Sequence, residues 1–598
     1  MSDKVDGEDQ TQDEKGHREA HAPRHLASSG NEHRDEEHAM AASMEGRGVE
    51  SIAASGGERG DEDVIAAAEA TVAAPAFELG GEHGPEVEVS NWIVALLVTV
   101  IGGFMAILDS SIVNVAIPKI MSVFGMSTSQ VQWIVTIYML TLGVVVPTSA
   151  WIGDRIGYKR LYVLSLVIFT IGSALSGLAW SGGALIGFRV LQAIGGGMIM
   201  PVMTSMLYRM VPRNRIGSAM GILGVAIIVA PALGPTIGGY LVQYVDWRLI
   251  FYINVPIGIF GILAAERVLP VFKRHPVGPF DIVGFLSAAG GLFTLLYALS
   301  QGQTLGWTSE TIVLMLVGAG ALLIFFVWWE ILVEHPLLDV RVFRYGVFSW
   351  SNLLVIATTV ALFSGVFYIP LFLQNIAGMG ALETGLILMP SALMSGVMMP
   401  LSGRLFDRIG PRPLAFTGLL ILAVATYLMH NLTVYTSTST IIWWLVVRGV
   451  GMGFMMMPVQ AAGLNAIPTR LVGQASAFSN IIQRVAGSFG IAYLTSYLDG
   501  RMATHTNDLT AAITPSHPAV VTLLTEIGHQ FGAWFPGLQP TVLGNLFLSG
   551  MVSQQSFTSG IDDVFLLTAL VLVVAFIPAM FLRKVHGQSG GMMPMGGE

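Results

Sequence analysis

The sequence predicts an all-α polytopic membrane protein: fourteen transmembrane helices in two pseudo-symmetric six-helix halves, plus an inserted helix pair. Three observations predict it. Hydrophobic residues make up 53% of the 598 and charged residues only 12%, too few for the surface of a soluble chain this long. Apolar runs of about 20 residues, the length that crosses a bilayer, recur from Asn91 onward. Lys and Arg gather in alternate connections, which sets an orientation.

The runs fall at 93–116, 131–152, 160–179, 184–207, 216–241, 249–269, 282–300, 311–333, 347–373, 384–405, 412–430, 440–463, 473–497 and 561–583. They divide the chain into an acidic tail (1–90), an N-terminal half (91–270), an inserted two-helix linker (271–345), a C-terminal half (346–585) and a flexible end (586–598). One connection is long, the outer loop 498–560. Arg155, Lys159 and Arg160 follow span 2, Arg209, Arg213 and Arg215 span 4, and Arg404, Arg408 and Arg412 span 10. Opposite connections such as 301–310, 374–383 and 431–439 carry none. Both termini are therefore expected on the cytoplasmic side of a bacterial inner membrane.

The net charge of −9 belongs to the tail. Residues 1–90 hold 22 acidic and 7 basic side chains, net −15, and the remainder holds 17 acidic and 23 basic, net +6. The tail has no apolar periodicity and reads as disordered. Its histidines (His17, His21, His25, His33, His38 and His83) are irregularly spaced, as in a solvated segment. A membrane body that is mildly basic suits anionic lipid, and no nucleic-acid partner is expected. Cysteine is absent, which excludes disulfides and thiolate chemistry. No metal-ligand spacing and no phosphate-cradling glycine loop is present, so no enzyme, no metal and no cofactor is expected.

Inside the first run lies Leu108-Asp109-Ser110-Ser111-Ile112-Val113-Asn114-Val115-Ala116-Ile117-Pro118. Asp109 is the one carboxylate well inside the runs of the two halves, and an ionisable group at membrane depth is costly enough to need a function. It reads as a proton-coupling residue; the structural alternative is a helix cap or an ion pair with a nearby Arg. Arg189 in span 4, Arg448 in span 12 and Arg484 in span 13 are the other charges at depth. Arg484 must face protein or water, lining a cavity or pairing with Asp109. Asn114 and Gln192 are candidates for the same cavity. So are the methionine pairs Met394/Met398 and Met452/Met456, each one helical turn apart, whose flexible thioethers accept varied apolar shapes.

The halves repeat. Gly153-Asp154-Arg155-Ile156-Gly157-Tyr158-Lys159-Arg160 after span 2 is echoed by Gly403-Arg404-Leu405-Phe406-Asp407-Arg408-Ile409-Gly410 after span 10. The Arg189–Gly197 stretch is echoed by Arg448–Gly453. The first loop resembles the hallmark loop of the major facilitator superfamily, with Ala150 where the leading Gly is usual. Pro231-Ala232-Leu233-Gly234-Pro235-Thr236-Ile237-Gly238-Gly239 in span 5 resembles the antiporter motif of drug:proton exporters. The Asp109 stretch and Trp247-Arg248-x-x-Phe251-x-Ile253-Asn254-Val255-Pro256 resemble the fourteen-span EmrB/QacA-type branch.

That resemblance covers residues 91 to about 585 and implies several things. The chain would export small amphipathic compounds in exchange for protons by alternating access, driven by the proton gradient. Arg189 would assist proton transfer. Asp154 and Arg155, with Asp407 and Arg408, would form latches across helix ends, and Gly157 would make a tight turn. Pro231, Gly234, Pro235, Gly238 and Gly239 would set the bend and packing of span 5. The alternatives are an exporter dedicated to one metabolite, siderophore or lipid, or a membrane receptor or scaffold.

The outer loop is not uniformly polar. Val520 and Val521 begin an amphipathic helix, and Trp534 and Phe535 follow. The loop is expected to rest on the membrane surface or transporter mouth, or to dock a periplasmic adaptor protein. For the tail, the expectation is simple. A segment so polar cannot pack into the bundle, so deleting residues 2–85 leaves transport within about two-fold of the full chain. Substrate efflux from membranes holding equal amounts of each protein measures this.

Overall fold

The computed structural model describes residues 91–274, 277–512, 518–532 and 539–583. The acidic tail, the stretch with Trp534 and Phe535, and the end from Lys584 lie outside the described residues.

Among the described residues all regular structure is helical. The first half holds α1 (Trp92–Phe124), α2 (Thr128–Val145), α3 (Thr148–Ile156), α4 (Tyr158–Gly177), α5 (Gly182–Met210), α6 (Ile216–Tyr244), α7 (Leu249–Tyr252) and α8 (Asn254–Val268). The inserted pair is α9 (Ile282–Leu305) and α10 (Glu310–Leu332). The second half holds α11 (Gly346–Asn375), α12 (Ala381–Ile409), α13 (Pro411–Leu428), α14 (Thr438–Asn465), α15 (Val472–Ala512), α16 (Pro518–Gly532), α17 (Pro540–Val574) and α18 (Phe576–Met580).

Twelve of the described helices are long and apolar enough to cross a membrane, and the bent pair α2/α3, which turns by 56°, brings the number to as many as thirteen. The remaining expected span, 473–497, lies in α15. That helix is not among them, because Gln474, Asn480, Gln483 and Arg484 make it polar. The outer connection 498–560 is mostly helix. α15 runs on to Ala512, and α17 begins at Pro540 and continues into the last span. α16 packs on α17 through Gly544, where a Cβ would overlap the Leu524 carbonyl.

Prolines sit inside α1, α5, α6, α11, α12 and α14. Each deletes one backbone donor, which a membrane helix tolerates when a neighbour satisfies the freed carbonyl. Pro235 shows how. It cannot donate to the Pro231 carbonyl one turn back, and the Ser111 hydroxyl of α1 donates there instead, at 3.0 Å.

The inserted pair is clipped at one end. Asp281 accepts from the Gly284 amide at 2.9 Å, capping α9, and from Trp329 Nε1 of α10 at 3.0 Å. At the other end the Gln303 amide of α9 accepts from the Ser496 hydroxyl of α15 at 3.1 Å and donates to Asp499 at 3.0 Å, and Tyr297 stacks on Trp133 of α2 at 5.5 Å. The pair therefore leans on both halves.

The halves themselves meet at the ends where the Arg-rich connections lie. Asp407 of α12 accepts from the amides of Gly217 and Ser218 at 2.8 and 3.0 Å and from the Ser218 hydroxyl at 2.7 Å. It thus caps the exposed donors at the start of α6, as a carboxylate at a helix N-terminus does. Beside it a Cβ at Gly403 would overlap the Gly217 carbonyl, and one at Gly221 would lie 2.6 Å from the Met399 carbonyl. Tyr208 of α5 donates to the Ala461 carbonyl of α14 at 3.3 Å. Only glycine lets α6 and α12 approach this closely. Gly403→Leu is expected to part the halves at this end while the protein still inserts. Paired spin labels on α6 and α12, in a chain with no native cysteine to label, measure the widening.

Candidate functional site

The site is built where α1, α4, α5 and α8 converge. Glycines bring the walls together. A Cβ at Gly172 of α4 would lie 2.6 Å from the Gln192 backbone of α5, and one at Gly195 would lie 2.5 Å from the Phe169 amide. This places Ser173 against Gln192. From the other side, Gly238 of α6 rests on Ile112, where an added Cβ would lie 2.8 Å from Cγ1, and Gly234 rests on Ser111. α1 is thereby fixed in rotation with Asp109 pointing inward.

Asp109 is 0% exposed, as are Gln192, Ser173 and Asn254, and Arg189 is 1% exposed. Three donors converge on the carboxylate. Arg189 Nη1 reaches Oδ2 at 2.5 Å, and Gln192 Nε2 and Asn254 Nδ2 each reach Oδ1 at 2.8 Å. Both amides also donate to Ser173 Oγ at 3.0 Å, and Ser173 passes its own proton to the Phe251 carbonyl at 2.9 Å. Arg189 donates further to Gln192 Oε1 at 2.7 Å, and its guanidinium lies 3.8 Å from the centre of the Tyr138 ring. A buried ion pair persists only with such geometry, because hydrogen bonds must replace the lost water. The arrangement is a donor complement, the one that an acceptor-only carboxylate requires.

The sequence-level candidates divide. Asp109, Arg189 and Gln192 come together, and Arg189 does not reach out to a helix end. Gln192, expected along a cavity, is sealed beneath the carboxylate. Asn114 is exposed one turn beyond Ser110, whose carbonyl it meets at 3.4 Å, and takes no part. Met452 and Met456 line a cavity of about 10 Å³ with Thr358, Thr359, Gln460 and Gln483. Met394 and Met398 are half-buried on α12, where Met398 packs against Gly453. Arg448, the counterpart of Arg189, is buried on α14, donates to the Ala361 carbonyl and lies against Gly365, with no carboxylate beside it. Arg484 does not pair with Asp109; it stands within electrostatic reach of Tyr138.

Among the latch residues, Asp154 binds Arg209 of α5 at 3.2 Å, and Arg209 stacks over Tyr158 at 4.3 Å. Arg155 lies exposed over the Trp151 ring at 5.0 Å. Gly157 turns with φ 96° and its counterpart Gly410 with φ 86°, a conformation that favours glycine. Asp407 holds α6 as described, and Arg408 is exposed. Of the span 5 motif, Gly234 and Gly238 touch α1, Pro231 and Pro235 make the serine contact, and Gly239 faces open space.

With this geometry in view, the family model of the Major Facilitator Superfamily matches residues 99–491. The chain belongs to that superfamily. Its relatives include the MFS-type transporter YhcA of Bacillus subtilis, 36% identical over 84% of this chain and 95% of that protein. The lincomycin resistance protein LmrB of Listeria monocytogenes is 32% identical over 65% of this chain and 83% of that protein. A multidrug resistance protein B homolog of Mycobacterium tuberculosis is 30% identical over 81% of this chain and 89% of that protein. Among solved structures, the proton:xylose symporter XylE superposes with a TM-score of 0.50 at 13% identity, covering 80% of this chain and 94% of that one. The human organic anion transporter MFSD10 gives 0.51 at 13% identity, over 80% and 99%. These two structures carry the fold alone. The protein is therefore a multi-pass membrane transporter and not an enzyme.

Three residues of this site escape a reading by charge alone: Ser173, Tyr138 and Asn254. Asn254 had a signal, since it lies in the quoted Trp247–Pro256 motif; the other two had none. The tightest motif contact yields a prediction. Gly234→Leu is expected to insert normally yet lower turnover by about ten-fold or more, because its side chain collides with Ser111. Initial efflux rates at matched membrane abundance read it.

Proposed function

We propose that the protein exports amphipathic compounds by proton antiport, with Asp109 as the group that carries the proton. The observation that carries this reading is the enclosure of Asp109 by donors from two helices, α5 and α8, braced by Ser173 of α4, which accepts from both amides. A proton added to the carboxylate cancels the charge that holds Arg189 and converts one acceptor oxygen into a donor facing donors. The four-helix contact then loosens, and α6, pinned to α1 by Gly234 and Gly238, transmits the change to the Asp407 cap at its other end. This links protonation to the contact between the halves that alternating access must break.

The direction of transport is supported by the Pro231–Gly239 motif and by relatives named for lincomycin and multidrug resistance. The Arg-rich connections support a cytoplasmic placement of both termini in a bacterial inner membrane. One proton crossing ~150 mV releases ~3.4 kcal/mol, enough for a gradient of a few hundred-fold of a neutral compound.

Asp109→Asn keeps the size of the side chain and cannot exchange a proton. The expected result is loss of uphill efflux with insertion and substrate binding retained. Accumulation of a fluorescent substrate in an efflux-deficient host, with and without a protonophore, decides. Protonophore-sensitive uphill efflux by the Asn variant removes Asp109 from the mechanism.

A further inference from the structure

Away from the ends of the spanning helices, the charged side chains are Asp109, Arg189, Arg448 and Arg484. Other acids sit in terminal turns or connections. Asp562 and Asp563 lie level with the connection that carries His430, which meets the Asp562 carbonyl at 3.2 Å. Arg501 and His505 bind Asp563 at the same level, at 2.6 and 2.7 Å. Three guanidinium groups thus face one carboxylate at depth, and Arg189 already neutralises it. The interior is net positive, and its surplus lies in the second half.

The two surplus arginines differ. Arg448 is fully enclosed: one Nη donates to the Ala361 carbonyl against Gly365, and its Nε has no partner among the described residues, but it is shut away from any cavity. Arg484 is only part-buried, its Nε is enclosed without a hydrogen-bond partner, and no carboxylate lies near it. From α15 it stands within electrostatic reach of Tyr138 of the first half. An enclosed guanidinium donor without an acceptor is costly, and an anionic ligand is the partner that repays it. One residue earlier, Gln483 lines the cavity of about 10 Å³ that Met452, Met456 and Thr359 share, room for one water in this conformation, so a ligand body enters only when the surrounding helices part. Amide, hydroxyl and thioether surfaces suit the neutral and apolar body of such a ligand.

We infer that Arg484 is the headgroup site of the transported compound, and that the cargo is an amphipathic anion: a carboxylate, phosphate or sulfonate on an apolar body. The inference rests on the transport reading above and gives it a substrate class. A guanidinium binds carboxylate and phosphate through two parallel hydrogen bonds, so charge and geometry both select. A cationic amphiphile of the same shape finds no free acid at this depth and is repelled by Arg484.

The test uses the full chain in nanodiscs of zwitterionic lipid, with empty discs as background. Three ligands share one apolar body: pyrenebutyrate, its primary amide and the corresponding butyl-trimethylammonium. Energy transfer from tryptophan to pyrene reports binding without any proton gradient, so it is independent of coupling through Asp109. The butyrate is expected to bind at least about ten-fold tighter than the ammonium, with the amide between them. Arg484→Gln is expected to bring the butyrate to the affinity of the amide and to leave the amide unchanged; Arg484→Lys keeps part of the preference. Equal binding of butyrate and ammonium by the wild-type protein overturns the proposal, as does saturable binding of none of the three. An equal loss for all three ligands in Arg484→Gln also overturns it, by reducing Arg484 to a packing role. The wild-type ranking decides alone where the variant is not recovered folded. Selective butyrate binding without proton-driven movement would uphold the site and remove the exporter reading.

Discussion

A carboxylate and a guanidinium held together out of water constrain the whole N-terminal half. The Asp109–Arg189 pair is tolerable only while Gln192, Asn254 and Ser173 complete its hydrogen bonds at 2.8 to 3.0 Å. Four helices must therefore sit at fixed distances and rotations. The small residues follow from that demand. Gly172 and Gly195 let α4 and α5 touch, and Gly234 and Gly238 let α6 lie on the turn of α1 just after Asp109. The break between α7 and α8 follows too, since it leaves Asn254 at a helix start and the Phe251 carbonyl free for Ser173.

α6 is the element that joins this site to the second half. Its first turns carry Gly217, Gly221 and Gly224 against α12 and Met457 of α14. Its later turns carry Gly234 and Gly238 against α1. Between them stand Pro231 and Pro235, which weaken the backbone ladder where a bend is cheapest. A rigid helix would couple its two faces directly; one interrupted here can shift one face with partial independence of the other. Ser111 is then a sensor of that bend, because its hydrogen bond to the Pro231 carbonyl exists only through the missing donor of Pro235.

The fold was legible because the bilayer imposes a coarse and repetitive constraint: apolar length, charge sidedness and internal repetition. Legibility failed where polarity serves the interior rather than the ends. The run 473–497 reads as a span, yet α15 is not apolar enough to count as one among the described helices, since Gln474, Asn480, Gln483 and Arg484 interrupt it, and its continuation to Ala512 makes helix of what reads as loop. At the site, the charged pair was legible, because Asp109 and Arg189 each violate the apolar pattern. Ser173 was not, because a serine in a membrane helix usually bonds its own backbone; Ser165 does so with Leu161 at 2.7 Å. Tyr138 was hidden for a related reason, as one aromatic among many whose role comes from the guanidinium above it.

The two halves repeat in sequence but not in charge, and the asymmetry has an energetic consequence. The first half holds an ion pair that a proton can dismantle. The second holds Arg448 and Arg484, whose charges no carboxylate among the described residues at this depth balances. Tyr138 stands between them, 3.8 Å from Arg189 on one side and within reach of Arg484 on the other. Protonation of Asp109 therefore raises the positive potential felt at Arg484 through a medium of low polarisability. For an anionic cargo that rise strengthens binding as the proton arrives, and the two ligands would then share one state. Antiport requires the opposite order, with the proton bound after the anion has left. On the proposed mechanism that order would be imposed where the halves meet, at the Asp407 cap and the Gly217–Gly403 contact. An anion leaving as a proton enters also moves two charges in the same electrical sense, so ~150 mV contributes roughly 7 kcal/mol per cycle instead of half that. With such a cargo the proposed antiport would need no second carboxylate at depth, and among the described residues the interior holds only Asp109 there.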